Sequence, residues 1–308
     1  MAQQSIPVVS LRRFHDDRDA FSRMLFEALS DLGFVAVEDH GIDPACFERV
    51  YTDFAAFFAL PEETKRAYED VSTGRARGYT SFGVEHAKDR AVPDLKEFFH
   101  VGRDVDSALP RLSSLSPNLW PSEVATLASS TRALFDALDT VAAVLLEALS
   151  LALGLAPDHL PDLARQGNSV LRVIHYPAVD ERPPGAMRAA EHEDINLITL
   201  LPPSPQAGLE ILTRDGSWLP IHAIEGQIIV DTGDMMSRIT HGKVPATTHR
   251  VVDDGASGAR YSMPFFVHPH TEARLESLPG CVPEGEAPTE PIRAIDFLDE
   301  RLKDIGLR

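Results

Sequence analysis

Hydrophobic positions in the first half of the chain recur mainly at helical spacing. A long apolar stretch covers residues 134–155, but it contains three acidic residues that would be costly inside a bilayer. It is better explained as a core helix within a helical region over residues 121–155. The positions that would share its buried stripe are Leu134, Leu138, Val141, Leu145 and Leu149. The pattern also predicts an amphipathic helix over residues 18–32, between short β-favouring runs at 6–11 and 33–37.

The second half of the chain changes to short β-favouring runs separated by Gly, Pro or Asp. These runs cover residues 169–176, 195–201, 209–212, 228–230, 248–252 and 261–267. Such spacing is typical of a β-sandwich or barrel. A last helix is predicted over residues 291–307. No linker-like stretch divides the chain, so we expect one domain over residues 1–308, with helices packed around the β-sandwich.

Regular periodicity fades between residues 71 and 101. Four glycine and proline residues punctuate this stretch, namely Gly74, Gly78, Gly83 and Pro93. A long loop within a compact domain is often a lid or a binding element. We therefore expect residues 71–101 to form a loop of this kind.

Composition narrows the possible functions. The 308 residues include 44% apolar and 25% charged side chains, which is ordinary for a globular protein, and the formal net charge is −18. Such a negative surface disfavours nucleic acid and anionic membranes as partners. The two distant cysteines, Cys46 and Cys281, are expected to be reduced thiols. No secretion signal is recognisable at the N-terminus, so a cytoplasmic location is expected. No feature indicates an oligomeric state.

One group of residues has the composition of a metal site. On a strand, His192 and Asp194 would point to the same face because they lie two residues apart. A later strand could bring His249 beside them. Two histidines and one carboxylate leave three coordination positions open, an arrangement associated with iron(II) oxygenases, whereas a closed tetrahedral zinc site leaves none. This pattern alone is weak among 12 histidines, but all three residues lie on or beside predicted strands. His268, at a strand end, is interpreted as structural or solvent-facing.

A second group of residues could bind a carboxylate. Arg260 and Ser262 share one face of a strand that is predicted to run antiparallel to the strand of His249. A guanidinium together with a hydroxyl can hold a carboxylate by charge-assisted hydrogen bonds. A 2-oxo acid that chelates iron could be anchored there by its far end. Tyr176, which shares a strand face with Arg172, could add a hydrogen bond.

The chain resembles the isopenicillin N synthase-like family of iron(II)/2-oxoglutarate-dependent oxygenases over nearly its whole length. In the front half the matching blocks include residues 33–42, 57–61, 77–79, 94–98 and 118–121. In the back half they include residues 171–177, 192–201, 208–211, 218–221, 233–235, 249–251 and 260–266. Many plant relatives carry Asn and Tyr where this chain has Ile174 and His175, so one of their active-site hydrogen bonds is expected to be missing.

The resemblance implies a double-stranded β-helix, or distorted jelly roll, flanked by helices that come mostly from the N-terminal half. Residues 1–120 would form the helical region with the substrate loop, residues 165–270 the jelly-roll core, and residues 290–308 the C-terminal helix. The implied metal is Fe²⁺, and the implied co-substrates are 2-oxoglutarate and O₂.

The resemblance also assigns roles to individual residues. It implies His192, Asp194 and His249 as iron ligands. It implies Arg260 and Ser262 as the 2-oxoglutarate carboxylate site, with Tyr176 nearby. Phe266 and Tyr79 are the expected substrate contacts, Tyr79 lying in the loop 77–99 that would border the entrance.

The expected activity is oxidation, above all hydroxylation, of a small organic molecule with release of succinate and CO₂. One alternative is an iron oxidase of the isopenicillin N synthase type that does not use 2-oxoglutarate, in which Arg260 and Ser262 would bind the carboxylate of the substrate. A second alternative is a non-catalytic binding protein that has kept the jelly roll. Oxygen consumption without succinate formation would favour the first alternative over the 2-oxoglutarate-dependent activity. Absence of iron binding would favour the second.

Overall fold

The computed structural model describes residues 5–86, 92–178, 185–204, 206–221, 224, 226–252 and 258–304. Within these ranges the α-helices are α1 (Arg12–Asp16), α2 (Arg18–Leu32), α3 (Pro44–Phe58), α4 (Glu62–Arg66), α5 (Pro110–Ser113), α6 (Leu127–Ala152), α7 (His159–Ala164), α8 (Asp234–Ile239) and α9 (Ala294–Asp304). A short 3₁₀ turn covers Val71–Thr73. The predicted helix over residues 18–32 coincides with α2, which begins after the N-cap Asp17 and ends at Gly33 in a left-handed conformation (φ 67°).

The strands of the same ranges form two main sheets and a small pair, and the pairings are antiparallel except the one between the first two strands, which is parallel. They are β1 (Val8–Ser10), β2 (Phe34–Glu38), β3 (Gly78–Thr80), β4 (Glu97–Gly102), β5 (Val170–Tyr176), β6 (Ala189–His192), β7 (Ile198–Leu201), β8 (Leu209–Leu212), β9 (Trp218–Ile221), β10 (Ile228–Thr232), β11 (His249–Val251), β12 (Arg260–Ser262), β13 (Phe265–Val267), β14 (Arg274–Leu275) and β15 (Ile292–Arg293). The larger sheet has the order β1-β2-β10-β7-β13-β5-β4-β3, with β12 also paired to β5. The smaller sheet has the order β6-β11-β8-β9.

From residue 189 onward the chain passes repeatedly between the two main sheets. Strands β6, β8, β9 and β11 belong to the smaller sheet, and β7, β10, β12 and β13 belong to the larger one. This alternation is the connectivity of a jelly roll. It brings the ends of sequence-distant strands together, which is what a site built from several strands requires.

Helix α6 packs against the larger sheet and supplies much of the core. The five residues of the predicted stripe are all buried. Phe135 of α6 meets Phe265 of β13 edge-to-face, with ring centroids 4.9 Å apart. The helix begins at Leu127 rather than at the expected residue 121. In the part of the chain that the structure describes, no helix is both long enough and apolar enough to cross a bilayer.

Three local expectations were wrong. Residues 71–101 are not a continuous loop, because β3 and β4 extend the larger sheet; residues 87–91 of this stretch lie outside the described ranges. Asp194 is not on a strand, since β6 ends at His192. Strand β12 does not lie beside β11 but pairs with β5 in the other sheet, with Arg260 opposite Tyr176 and Ser262 opposite Ile174.

Candidate metal centre and active-site cavity

His192, Asp194 and His249 converge at one end of the smaller sheet. His192 ends β6 and His249 begins β11, and the two residues are direct partners in the antiparallel register. The carboxylate Oδ1 of Asp194 lies 3.9 Å from Nε2 of His192 and 3.7 Å from Nε2 of His249. One potential ligand atom from each residue lies within 4.8 Å of the others. Three donors at this separation can share a single ion.

The backbone orients both imidazoles. Nδ1 of His192 lies 2.7 Å from the carbonyl oxygen of Ala190, and Nδ1 of His249 lies 3.1 Å from that of Thr247. A ring nitrogen that faces a carbonyl must carry the proton, so Nε2 of each ring keeps its lone pair for a metal. The hydroxyl of Thr199 donates a hydrogen bond to the other oxygen of Asp194. With these contacts, the three side chains are suited to bind a divalent ion such as iron.

Electrostatics favour the metal-binding form of His192. Burial, reinforced by the neighbouring His249, lowers the pKa of His192 to about 4. The ring is therefore neutral near pH 7, the form in which a histidine binds a metal. Burial, followed by the nearby Asp194, raises the pKa of Asp231 well above its usual value. Asp231 is thereby favoured in its neutral form, and a second negative charge beside Asp194 is avoided.

The guanidinium of Arg260 is buried without a carboxylate partner among the described residues. The residue is 2% exposed, and its Nε donates to the carbonyl of Ala207 at 3.1 Å. Its Nη1 has no hydrogen-bond partner within the described ranges. The guanidinium lies 5.2 Å from the ring centroid of Tyr176, and Ser262 on the same strand face is also buried. A buried cation of this kind fits the carboxylate of a 2-oxo acid.

A cavity of about 220 Å³ opens beside His192 and Asp194. Phe266 lines it, as do Leu298, Arg301 and Leu302 of α9. An ion pair of 2.6 Å between Arg301 and Asp234 ties α9 to the start of α8. The C-terminal helix therefore contributes directly to the wall of the cavity.

A buried ion network forms another wall of the cavity. Nζ of Lys96 lies 2.9 Å from Asp94 and 3.1 Å from Glu85, and Nη1 of Arg172 lies 3.1 Å from the same Glu85. Neither Lys96 nor Glu85 was predicted to be a cavity residue, because charged side chains are usually exposed. For Arg172 a signal was present, since it shares a strand face with Tyr176.

The structure contradicts one expected side-chain position and decides between the two interpretations of another. Tyr79 does not line the cavity: it is fully buried elsewhere, and its hydroxyl donates a hydrogen bond to Glu97. We therefore withdraw it as a substrate contact. His268 is not solvent-facing, since it is 9% exposed and lines the cavity. Its Nδ1 is buried without a partner in the described ranges.

His175 takes part in a network behind the Arg260 strand. Its Nδ1 lies 2.7 Å from Glu97, which also accepts a hydrogen bond of 2.6 Å from Nζ of Lys65. The ring of His175 stacks on Tyr261, with centroids 4.7 Å apart and an interplanar angle of 17°. The network thus supports the strand that carries Arg260 and Ser262.

Known proteins match this chain along both halves. Residues 6–123 match the family described as the non-haem dioxygenase in morphine synthesis N-terminal domain, and residues 167–269 match the 2OG-Fe(II) oxygenase superfamily. The 2-oxoglutarate-Fe(II) type oxidoreductase ppzD of Metarhizium majus is 32% identical over 92% of this chain and 88% of its own length.

Solved structures agree with these matches. A 2OG-Fe(II) oxygenase family protein from Caulobacter crescentus is 38% identical, with a TM-score of 0.89 over 98% of this chain and 100% of that one. A full-length Neurospora crassa protein in complex with alpha-KG and thymine is 27% identical, with a TM-score of 0.85 over 97% of this chain and 96% of that one.

The chain belongs to the 2OG-Fe(II) oxygenase superfamily. It is an oxidoreductase whose metal is iron and whose co-substrate is 2-oxoglutarate, with His192, Asp194 and His249 forming the candidate iron site. The predicted fold, a double-stranded β-helix flanked by helices, is confirmed.

Proposed function

We propose that this protein hydroxylates a C–H bond of a small organic molecule and converts 2-oxoglutarate and O₂ to succinate and CO₂. The observation that carries the proposal is the meeting of three metal-donor side chains within 4.8 Å of one another, two of which, His192 and Asp194, line a cavity. The guanidinium of Arg260, which has no carboxylate partner among the described residues and whose Nη1 has no hydrogen-bond partner there, supports the use of a carboxylate co-substrate.

In this proposal His192, Asp194 and His249 hold the iron, which supplies the activation of oxygen when bound. Arg260 and Ser262 bind the distal carboxylate of 2-oxoglutarate, and Tyr176 lies beside the Arg260 guanidinium. The hydrogen bonds to the backbone carbonyls of Ala190 and Thr247 keep both imidazoles in the orientation that the metal needs.

The protein contributes binding and orientation around the metal. Phe266 contacts the substrate, and α9 narrows the cavity so that the reacting C–H bond is held beside the iron site. Relatives support a small-molecule substrate: the Neurospora crassa structure contains thymine, and a 31% identical protein from Petromyces alliaceus is named a proline hydroxylase.

Measuring succinate together with oxygen tests the proposal. Purified protein supplied with Fe²⁺, 2-oxoglutarate and ascorbate should form succinate slowly even without the prime substrate, in proportion to the oxygen consumed. Asp194→Ala should abolish this activity, and Asp19→Ala, which removes an exposed carboxylate of α2, should not. Oxygen uptake by the wild-type protein with no succinate would instead support an oxidase that does not use 2-oxoglutarate.

A further inference from the structure

One wall of the cavity is formed by β4, by β5 and by the segment that precedes β4. Counted over the described residues, this wall carries more positive than negative charge. Lys96 and Arg172 are neutralised by the carboxylates of Glu85 and Asp94. Arg75, at the edge of this wall, is paired with Glu69 at 2.7 Å. Arg77 is left without a carboxylate partner in the described ranges.

Arg77 is held in place by neutral groups. It is 2% exposed, its Nη2 donates to the side-chain oxygen of Asn168 at 2.9 Å, and its Nη1 donates to the carbonyl of Ala76 at 2.7 Å. Burial lowers the pKa of Arg77 to about 10, so the side chain stays charged near pH 7. One uncompensated positive charge therefore remains behind this wall.

The histidines of this wall do not change that balance. Burial, followed by Arg172, lowers the pKa of His100 well below its usual value, and burial lowers the pKa of His268 to about 4. Both rings are neutral near pH 7. An anion placed at this wall would meet the field of the uncompensated Arg77 charge, without added positive charge from either histidine.

Arg172 offers the anion a fixed donor. Its guanidinium lies over two aromatic rings, 4.2 Å from the centroid of Phe98 and 5.3 Å from that of Phe266. Its Nε donates to His100 at 2.7 Å, and its Nη1 donates to Glu85. These contacts engage two of the three nitrogens and hold the group in one orientation.

The third nitrogen of Arg172, Nη2, has no hydrogen-bond or ion-pair partner among the described residues. This nitrogen is not sealed from solvent, and the Arg172 side chain is 13% exposed where it lines the cavity. An accessible N–H edge on a rigid guanidinium is suited to a carboxylate, which accepts charge-assisted hydrogen bonds in that plane.

We propose that Arg172 binds a carboxylate of the prime substrate, which is therefore a small carboxylic acid with an apolar body. The apolar part packs near Phe266, Val170 and Leu298, which line the same cavity. This inference rests on the proposed function, because it specifies the molecule that the iron site oxidises. It assigns the two arginines different ligands, Arg172 the substrate and Arg260 the co-substrate.

Matched acid and amide probes test the inference by binding alone. Two pairs are used, 3-phenylpropanoate with 3-phenylpropanamide and hexanoate with hexanamide, and each compound is titrated calorimetrically into anaerobic protein saturated with Fe²⁺ and 2-oxoglutarate. In at least one pair the acid should bind wild-type protein at least about tenfold more tightly than its amide. The absence of any such preference in both pairs would overturn the inference.

Variants then locate the preference. Arg172→Gln should reduce the acid-to-amide ratio to less than about threefold, whereas Arg214→Gln, which removes a 72% exposed arginine, should retain it. Retention of the full preference in Arg172→Gln would overturn the assignment. If Arg172→Gln does not fold, judged by its thermal melting curve, Arg172→Lys replaces it and should lower the ratio at least about threefold because the lysine cannot form the planar fork.

Two further outcomes are distinguishable. Acid binding that weakens as 2-oxoglutarate concentration rises would place the acid in the co-substrate site and contradict the assignment to Arg172. Failure of the wild-type protein to form succinate from 2-oxoglutarate would overturn the proposed function itself, whatever the probes bind. Succinate formation without an acid preference would overturn only the substrate inference.

Discussion

His192 and His249 face each other across the antiparallel pair β6 and β11, with ring centroids 4.4 Å apart and ring planes inclined at 52°. Backbone pairing between these strands thus places two potential ligands together although they are distant in the sequence. The ring of His249 also packs edge-to-face on Phe34 of the larger sheet, with centroids 5.6 Å apart. The position of the metal donors is therefore part of the packing of the jelly roll.

Replacing Arg260 tests the proposed co-substrate site. Arg260→Gln should raise the KM for 2-oxoglutarate at least about tenfold, because the amide cannot form the charged, two-pronged contact with a carboxylate. Ser262→Ala should have a smaller effect. The measurement is succinate formation as a function of 2-oxoglutarate concentration, with Arg214→Gln as the control. An unchanged KM in Arg260→Gln would place the co-substrate carboxylate elsewhere.

Replacing each of two adjacent cations, Lys65 and Arg66, tests the buried network behind Arg260. The Lys65 and Glu97 side chains are 8% and 6% exposed, whereas those of Arg66 and Glu62 are 61% and 48% exposed. Lys65→Met should lower the free energy of unfolding by about 3 kcal/mol, because it leaves a buried carboxylate short of its cation. Arg66→Met should lower it much less, because the ion pair of Arg66 with Glu62 is exposed to solvent.

Urea unfolding of both variants provides the comparison. Equal losses in the two variants would mean that the buried contact of Glu97 with Lys65 contributes no more than a surface ion pair. Because Glu97 also binds His175, Lys65→Met is expected to weaken the support of the Arg260 strand as well.

The buried His268 should make the iron-free protein less stable in acid. Burial lowers its folded-state pKa to about 4 from the ordinary value of 6.5. Between these two pH values the unfolded chain binds a proton that the folded chain does not, so stability falls as pH is lowered. The loss of unfolding free energy that this residue causes reaches about 3 kcal/mol near pH 4.

The slope of unfolding free energy against pH is the useful measurement, because His268→Gln also changes stability at neutral pH. Between pH 6.5 and 4 the slope of His268→Gln should be shallower than that of the wild-type protein. Parallel curves for the two proteins would show that His268 does not titrate differently in the folded and unfolded states.

Much of the architecture could be predicted from periodicity. The bounds of α2 and the buried stripe of α6 followed from apolar spacing, since each helix buries only one face. Strand β4 was missed because both of its faces are buried, so its sequence does not alternate. Strand β6 was missed because Ala189-Ala190-Glu191-His192 contains no β-branched or aromatic residue apart from the terminal imidazole.

The metal donors were predictable because their residue types are distinctive, whereas the cavity wall was not. Lys96 and Glu85 neutralise each other only after folding has brought a strand and a preceding segment together. Tyr79 was misassigned because sequence position near the cavity loop does not reveal which way a side chain points. In the structure it points toward Lys65 and Glu97, away from the cavity.

The most direct test of the central claim is an anaerobic titration of the purified chain with Fe²⁺. The wild-type protein should bind one ion per chain, and His192→Ala and His249→Ala should each weaken binding roughly 100-fold or more through loss of a ligand. His159→Ala, which removes an exposed histidine of α7, should bind iron as the wild-type protein does. Unchanged iron affinity in His192→Ala and His249→Ala would contradict the assignment of the metal centre.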